Sequence, residues 1–230
     1  MKVFELNIKC YLLNDIKQED ALSQIGFCID LTLGKNEKFL EVHNKNSFKN
    51  YSFNSFYPLE QDKVYKEDYI YTFQLRTIDE ELAIYLSEQL PKSYTKCIKI
   101  LRIDSKIISK KHIDRIYSIT PAVMKNDFGY WNGNMSFDQY AERIKINLIK
   151  KYNHFTDEKV DESFPLFTAI EIKNKKPIAI NYKGKRILGD KISLNIADDD
   201  LSQKIAYMAL GTGVLELNAR GAGYLNYRWL

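Results

Sequence analysis

The order of periodic segments constrains this chain more than any other feature: strand, helix, two strands, helix, strand, and then the same order again. The first segment alternates Phe4, Leu6, Ile8, Cys10 and Leu12 against Glu5, Asn7 and Lys9, the period of a half-buried strand. A helix is expected from about Gln18 to Leu33, with Ala21, Leu22, Ile25, Cys28 and Ile29 turned inward at helical spacing. Two aromatic-rich segments, Tyr51 to Tyr57 and Tyr65 to Arg76, read as a pair of strands, the second alternating Tyr71, Phe73 and Leu75 with Thr72, Gln74 and Arg76. Asp79 can cap a helix that carries Leu82, Tyr85, Leu86 and Gln89 on one face and closes at Pro91, before a strand around Lys96 to Ile108.

The second half repeats the order of elements without repeating residues. A strand is expected from Ile113 to Val123. Ser136 and Gln139 are spaced as a capping box opening a helix with Phe137, Tyr140, Ile144 and Leu148 inward. Strands near Leu166 to Lys173, Pro177 to Tyr182 and Ile187 to Ile196 precede a helix over about Asp200 to Leu210 and a last strand ending at Trp229. Each βαββαβ half can bury one face of an antiparallel sheet under two helices. The expectation is an α+β chain of two tandem ferredoxin-like domains, the fold of RNA-recognition motifs, divided into residues 1–110 and 111–230. The length of 230 residues accommodates two such units, and 45% hydrophobic with 28% charged residues excludes a disordered chain.

No apolar run approaches the roughly 18 residues of a membrane span, so a chain neither secreted nor membrane-bound is expected. Cys10, Cys28 and Cys97 form no CxxC pair and sit among apolar neighbours, which fits buried thiols in the cytoplasm. The net charge of +4 is too small to announce a nucleic-acid partner, but its distribution is uneven. Lys173, Lys175, Lys176, Lys183, Lys185, Arg186 and Lys191 face only Asp190 within one stretch; a second basic run includes Lys106, Lys110, Lys111 and Arg115. Solvated strand ends and a phosphate-binding surface are both consistent with that pattern.

GTGVLELNARGAG, Gly211 to Gly223, is the most unusual segment. Its glycines Gly211, Gly213, Gly221 and Gly223 could let backbone N–H groups approach phosphates, and Arg220 adds a guanidinium fork. The order helix, loop, strand does not fit a dinucleotide-binding GxGxxG, and no GK[ST] ending marks a P-loop. A helix C-cap at Gly211 with a bulge at Gly221 is the plain alternative. Of the three histidines, His43 lies in a polar segment with Lys45 and Lys49, while His112 and His154 are read as surface or core residues. An imidazole titrating near pH 6.5 can move protons in RNA cleavage by the ribose 2′-hydroxyl, Lys49 can stand beside the transition-state charge, and Tyr51 can hold a proton position or simply pack. The acidic run Asp198 to Asp200 opens a helix and reads as a cap, so no metal site and no cofactor are expected.

The two halves, the HxxxxFKxYxF pattern within HNKNSFKNYSFNSF and the ending LGTGVLELNARGAGYLNYRW together resemble the CRISPR-associated endoribonucleases of the Cas-six (Cas6) family. The resemblance implies a metal-independent endoribonuclease that cuts precursor CRISPR RNA within its repeat, with His43 in acid–base catalysis and Lys49 as electrostatic helper. It implies RNA binding by the glycine-rich loop; from the charge distribution, the basic residues between Lys173 and Lys191, Lys183, Lys185 and Arg186 among them, are expected as further RNA contacts. Repeat RNA is the expected partner, effector-complex subunits are further candidates, and the chain would act as monomer or homodimer. A noncatalytic repeat-binding subunit and a protein binding a nucleotide or other phosphate ligand are the alternatives. Glu216, inside the loop, would have to point away from any phosphate.

Overall fold

The computed structural model describes every residue except Asn46, and for Val42, His43 and Asn44 the backbone alone. The first half runs β1 (Phe4–Leu12), β2 (Ile16–Lys17), α1 (Ala21–Leu33), α2 (Glu37–Asn44), β3 (Tyr51–Phe53), β4 (Val64–Tyr65), β5 (Ile70–Thr77), α3 (Glu80–Gln89) and β6 (Ile98–Ile107). The second runs β7 (Ile113–Ser118), α4 (Phe137–Thr156), β8 (Phe167–Ile172), β9 (Ile178–Tyr182), β10 (Lys185–Gly189), β11 (Ile192–Ile196), α5 (Asp200–Thr212) and β12 (Leu225–Trp229).

Two four-stranded antiparallel sheets result, ordered β3-β5-β1-β6 and β12-β7-β11-β8. Numbered within each half, both read second, third, first, fourth in space when taken from the same end, so the chain is a tandem of ferredoxin-like units. Each sheet packs its apolar face against its helices. Leu6, Ile8, Phe73 and Leu75 meet Ile25, Ile29, Leu82 and Leu86 in one core, and Ile116, Leu194 and Leu225 meet Ile144, Leu148, Ile205 and Met208 in the other. Asp79 caps α3 by accepting from the Leu82 N–H, and Ser136 and Gln139 form the reciprocal box at α4. Asp199 caps α5 through the Ser202 N–H, and Asp198 faces His112 at 3.1 Å, so the acidic run is an element start.

Several expected strands divide. Tyr51 to Tyr57 pairs as a strand only to Phe53; Tyr65 to Arg76 separates into β4 and β5 because β4 leaves the main sheet to pair with β2. The residues around Gln18 therefore belong to a turn, and the helix starts three residues later, at Ala21. The expected strand Ile187 to Ile196 is two strands. Asp190 interrupts it, exchanging backbone bonds with Ala122 and accepting from Tyr130 Oη, Trp131 Nε1 and Asn174 Nδ2 at 2.6–2.7 Å. That staple frees β10 to pair with β9 alone as a hairpin outside the main sheet. The strand from Ile113 stops at Ser118, five residues short of Val123.

The halves are joined by buried polar contacts. Arg76, 2% exposed, donates from Nε to Glu5 Oε2 at 2.7 Å and from Nη1 to the Leu225 carbonyl at 2.5 Å, with its guanidinium 4.7 Å from the Tyr224 ring centre. Tyr224 Oη donates to Gln74 at 3.0 Å, and Val3 sits within the second core. The Glu5–Arg76 pair itself lies within the first sheet, between β1 and β5, and holds the guanidinium where it reaches the Leu225 carbonyl and the Tyr224 ring of the other half. No helix among the described residues is long and apolar enough to cross a membrane.

Candidate nucleic-acid interface

The segment after α2 and the glycine-rich loop, nearly 170 residues apart, meet at one place. The loop leaves α5 at Gly213, passes through a single 3₁₀ turn at Asn218–Arg220, and enters β12. That turn is wedged between α1 and β3: a Cβ on Gly221 would lie 2.6 Å from Leu22 and 2.9 Å from Phe53, so a side chain there would force the loop away. Ser52 of β3 donates to the Gly211 carbonyl at 3.1 Å. With the turn so placed, the Arg220 guanidinium forms an ion pair with Asp30 of α1. Burial works against the charge of Arg220, but the Asp30 carboxylate outweighs it and holds the guanidinium protonated.

Lys49 stands beside this pair. Its Nζ donates to the Lys45 carbonyl at the C-terminal end of α2 at 2.5 Å, and burial, followed by the nearby Arg220 charge, pulls its pKa below that of a free lysine. Tyr51, two residues on, is 3% exposed, and its hydroxyl has no hydrogen-bond partner among the described residues. Burial first and Asp30 second push its pKa up, so it remains a neutral phenol. Its ring is sealed in the first core. Tyr51 therefore supports the cluster from beneath and presents no proton to solvent, which favours packing of the two roles its position allowed. The backbone of His43 lies in the last turn of α2; its side chain lies outside the described residues. His154, at the end of α4, is exposed and meets the Phe48 ring at 5.8 Å between centres.

The glycine-rich loop differs from its expected form. The α5 C-cap is Gly213 rather than Gly211, and Gly211, Gly213, Gly221 and Gly223 are all buried. Their amides are engaged within the chain: Gly213 N–H donates to Ala209, Gly221 N–H to Asn218 and Gly223 N–H to Pro121, while Val214 N–H donates to Gly223. A phosphate cradle of these N–H groups is therefore not what the loop forms; backbone polarity shut away from water has to be satisfied internally, and here it is. The Glu216 carboxylate is engaged within the chain, accepting from Arg143 at 2.6 Å, Asn147 at 3.1 Å and the Lys125 N–H at 3.0 Å.

The hairpin β9–β10 has the opposite character. Lys183, Gly184, Lys185 and Arg186 form its tip and are all exposed. Lys183 and Gly184 both have positive φ, and Tyr182 pairs with Lys185, the geometry of a two-residue primed turn whose twist matches its strands. Asn181 anchors the hairpin to Asp20, just before α1, at 3.2 Å. Lys125 and Lys183 lie 5.4 and 5.6 Å from the Tyr182 ring centre, and Arg220 is within electrostatic reach of Tyr182. Arg220, its own charge paired with Asp30, is thus within electrostatic reach of both Lys49 and Tyr182 of the hairpin.

A groove of about 1080 Å³ opens along the polar face of the first sheet. Asn7, Thr72 and Gln74 form its floor, Asn54 and Tyr57 one side, and Thr120, Pro121 and residues 178–180 of β9 the other, with Lys17, Lys63 and Lys191 at its margin. Tyr57 is 68% exposed, a free aromatic face beside side-chain amides. Sequence periodicity had marked Gln74 and Thr72 only as outward-facing; what makes them a lining is the second half packed opposite. Among the described residues no three His, Cys, Asp or Glu side chains are grouped as a metal site would need.

No family model matches the chain, and no curated protein matches it. Solved structures do. A RAMP protein described as binding different RNA substrates is similar over 98% of this chain and 99% of its own, with 17% identity and a TM-score of 0.75. A CRISPR-associated protein Cas6 is similar over 98% and 99%, with 17% identity and a TM-score of 0.68. A Cas6 product complex is similar over 99% of both chains, with 14% identity and a TM-score of 0.65. The tandem ferredoxin-like fold of this chain is the fold of those Cas6 and RAMP proteins, along their whole length.

Proposed function

We propose that the protein is a metal-independent endoribonuclease of the Cas6 type, acting in the cytoplasm, which cuts precursor CRISPR RNA within the repeat. The observation that carries the proposal is the meeting of Lys49 and Arg220 beside the end of α2: the two segments that carry the sequence resemblance come together as a small cationic cluster at the junction of the halves. Residues 1–110 supply His43 and Lys49, and residues 111–230 supply Arg220 and the basic hairpin. The groove along the first sheet suits unpaired bases, which can be read by side-chain amides and stacked on an aromatic ring.

In the reaction the 2′-oxygen attacks the adjacent phosphorus while the bond from phosphorus to the 5′-oxygen breaks. One proton leaves the 2′-hydroxyl and one reaches the departing 5′-oxygen, giving a 2′,3′-cyclic phosphate and a 5′-hydroxyl. His43 serves in proton transfer; Lys49 and Arg220 stabilise charge on the non-bridging oxygens. Acid–base help of this kind is worth about 10²–10⁴ in rate, so His43→Ala is expected to bind repeat RNA normally and cut it that much more slowly. The test is repeat RNA incubated in EDTA, with a 2′-deoxy nucleotide at the cut site as the blocked control. Cleavage that appears only when magnesium is restored refutes the proposal.

A second reading is a noncatalytic repeat-binding subunit of an effector complex, favoured by the burial of Tyr51 and by the similarity to a RAMP protein described by its RNA binding alone. Tight repeat binding without product would establish it. A nucleotide-binding role for the loop loses its support, because the loop amides are already engaged.

A further inference from the structure

Lys151 lies in the penultimate turn of α4 and is 1% exposed, an unusual place for an ammonium group. Its Nζ donates to the Gly213 carbonyl at 2.8 Å and to Asn218 Oδ1 at 2.7 Å. The Asn218 amide in turn donates to the Val214 and Ala222 carbonyls, both at 3.0 Å. One side chain thus ties together both ends of the glycine-rich loop, and a second ties the first to α4. Asn218 also opens the 3₁₀ turn that ends at Arg220, the residue paired with Asp30 beside Lys49. An apolar residue would fill the same space without the cost of burying a charge, and replacing buried ionic groups by well-packed apolar ones is often neutral or stabilising. The ammonium is therefore explained better by what it positions than by what it contributes to stability.

We propose that Lys151 and Asn218 form a positioning clasp that fixes the Arg220 guanidinium at the scissile phosphate, so that Lys151 acts on RNA through Arg220 without touching it. The inference rests on the endoribonuclease reading above. It assigns to the buried end of α4 a part in the reaction that neither the sequence patterns nor the fold comparison marks. A residue that only held the fold together would lower stability and harm every activity independently of Arg220. A positioning residue has a different signature: its removal costs nothing further once Arg220 is gone.

The experiment is a double-mutant cycle on Lys151→Met and Arg220→Ala, with 5′-labelled repeat RNA in EDTA, reading the single-turnover rate, the Kd and the Tm of each variant. The expected result is a rate at least tenfold slower for Lys151→Met, a Kd within about threefold of wild type, and a double variant no slower than Arg220→Ala alone. A wild-type rate in Lys151→Met, or losses that multiply in the double variant, would overturn the clasp. Should Lys151→Met fail to fold, Asn218→Asp replaces it, since it keeps the acceptor for Lys151 and removes the amide that holds Val214 and Ala222. The same non-additivity is expected there. A wild-type protein that binds the repeat and never cuts it refutes the endoribonuclease reading alone. The clasp is then judged in the Kd values, where coupling between the two sites supports it and independent losses overturn it.

Discussion

The β9–β10 hairpin and the glycine-rich loop carry the same kinds of residue, glycine beside lysine or arginine, and their sequences invite the same reading as phosphate binders. Their surroundings separate them. The hairpin exposes all four residues of its tip, 183–186, while the loop buries all four of its glycines and spends their N–H groups on its own chain. Glycine next to a basic residue is thus two devices: in the hairpin it makes a tight turn that lifts charge into solvent, and in the loop it lets backbone pass against backbone so that one guanidinium emerges at a fixed point. The sharpest way to break this contrast is to put a methyl group into each.

In the loop the effect should be the largest of any single substitution considered. A Cβ on Gly223 would lie 2.1 Å from the Val214 carbonyl oxygen, a backbone atom that cannot swing aside, and the residue has φ of +63°. Gly223→Ala is expected to cost about 3 kcal/mol or more, from overpacking and left-handed strain together, read as a fall in Tm and in denaturant midpoint. Stability within about 1 kcal/mol of wild type would mean that the loop is looser than its packing indicates.

The hairpin should show the converse, a binding loss without a stability loss. Replacing Lys183, Lys185 and Arg186 together by glutamine removes three exposed charges at the tip of the hairpin, outside the main sheets. If each faces a phosphate, the slope of log Kd against log salt should fall by about 2, on the basis of about 0.7 per contact for single strands, with affinity reduced about tenfold or more at low salt and Tm unchanged. An unchanged salt slope would remove the hairpin from the RNA path and leave Arg220 and Lys49 to carry it.

How much of this contrast was legible beforehand depends on what each feature rests on. Element order, helix caps at Asp79 and Ser136, and the alternation of β1 are local, and periodicity reads local physics well. The division of Ile187 to Ile196 was hidden because its cause, Asp190 bonded to Tyr130, Trp131 and Asn174, lies in residues distant along the chain. The fate of the loop amides was hidden for the same reason: Gly223 N–H finds Pro121, over 100 residues away. Lys151 drew no notice in sequence, being one of two adjacent lysines in a polar helix, although its place on the helical face of Ile144 and Leu148 is a signal that could have found it.

That buried lysine supplies a smaller and more graded test of the loop. Burial pushes its pKa down to about 7, Glu216 of the loop draws it back up, and Arg143, about two turns earlier on α4, adds to the depression. Because the unfolded chain holds this proton up to about pH 10.4 and the folded one releases it near 7, the unfolded state binds more protons between those values. Stability should therefore rise with pH above about 7, by up to about 1.4 kcal/mol per pH unit from this group, and Lys151→Met should flatten the rise. The clasp itself need not open, since a neutral amine still has two N–H bonds for the Gly213 carbonyl and Asn218. A denaturation series from pH 7 to 9 checks the slope, and equal slopes in the two proteins would show that Lys151 does not titrate in this window.

The smallest effect belongs to the second methyl group, at the hairpin tip. Gly184 has φ of +73°, as conspicuous as that of Gly223, but nothing lies within 4 Å of where its Cβ would be. Gly184→Ala therefore meets only the conformational penalty, partly offset by the smaller entropy of the unfolded chain, and is expected to cost about 1 kcal/mol or less. Cleavage rate should be unchanged, because the basic side chains on either side keep their exposure. The two alanine variants share chemistry and backbone region and differ in what surrounds them, so the gap between their Tm values measures packing alone. A Gly184→Ala variant as damaged as Gly223→Ala would show that positive φ, and not the buried carbonyl of Val214, governs both loops.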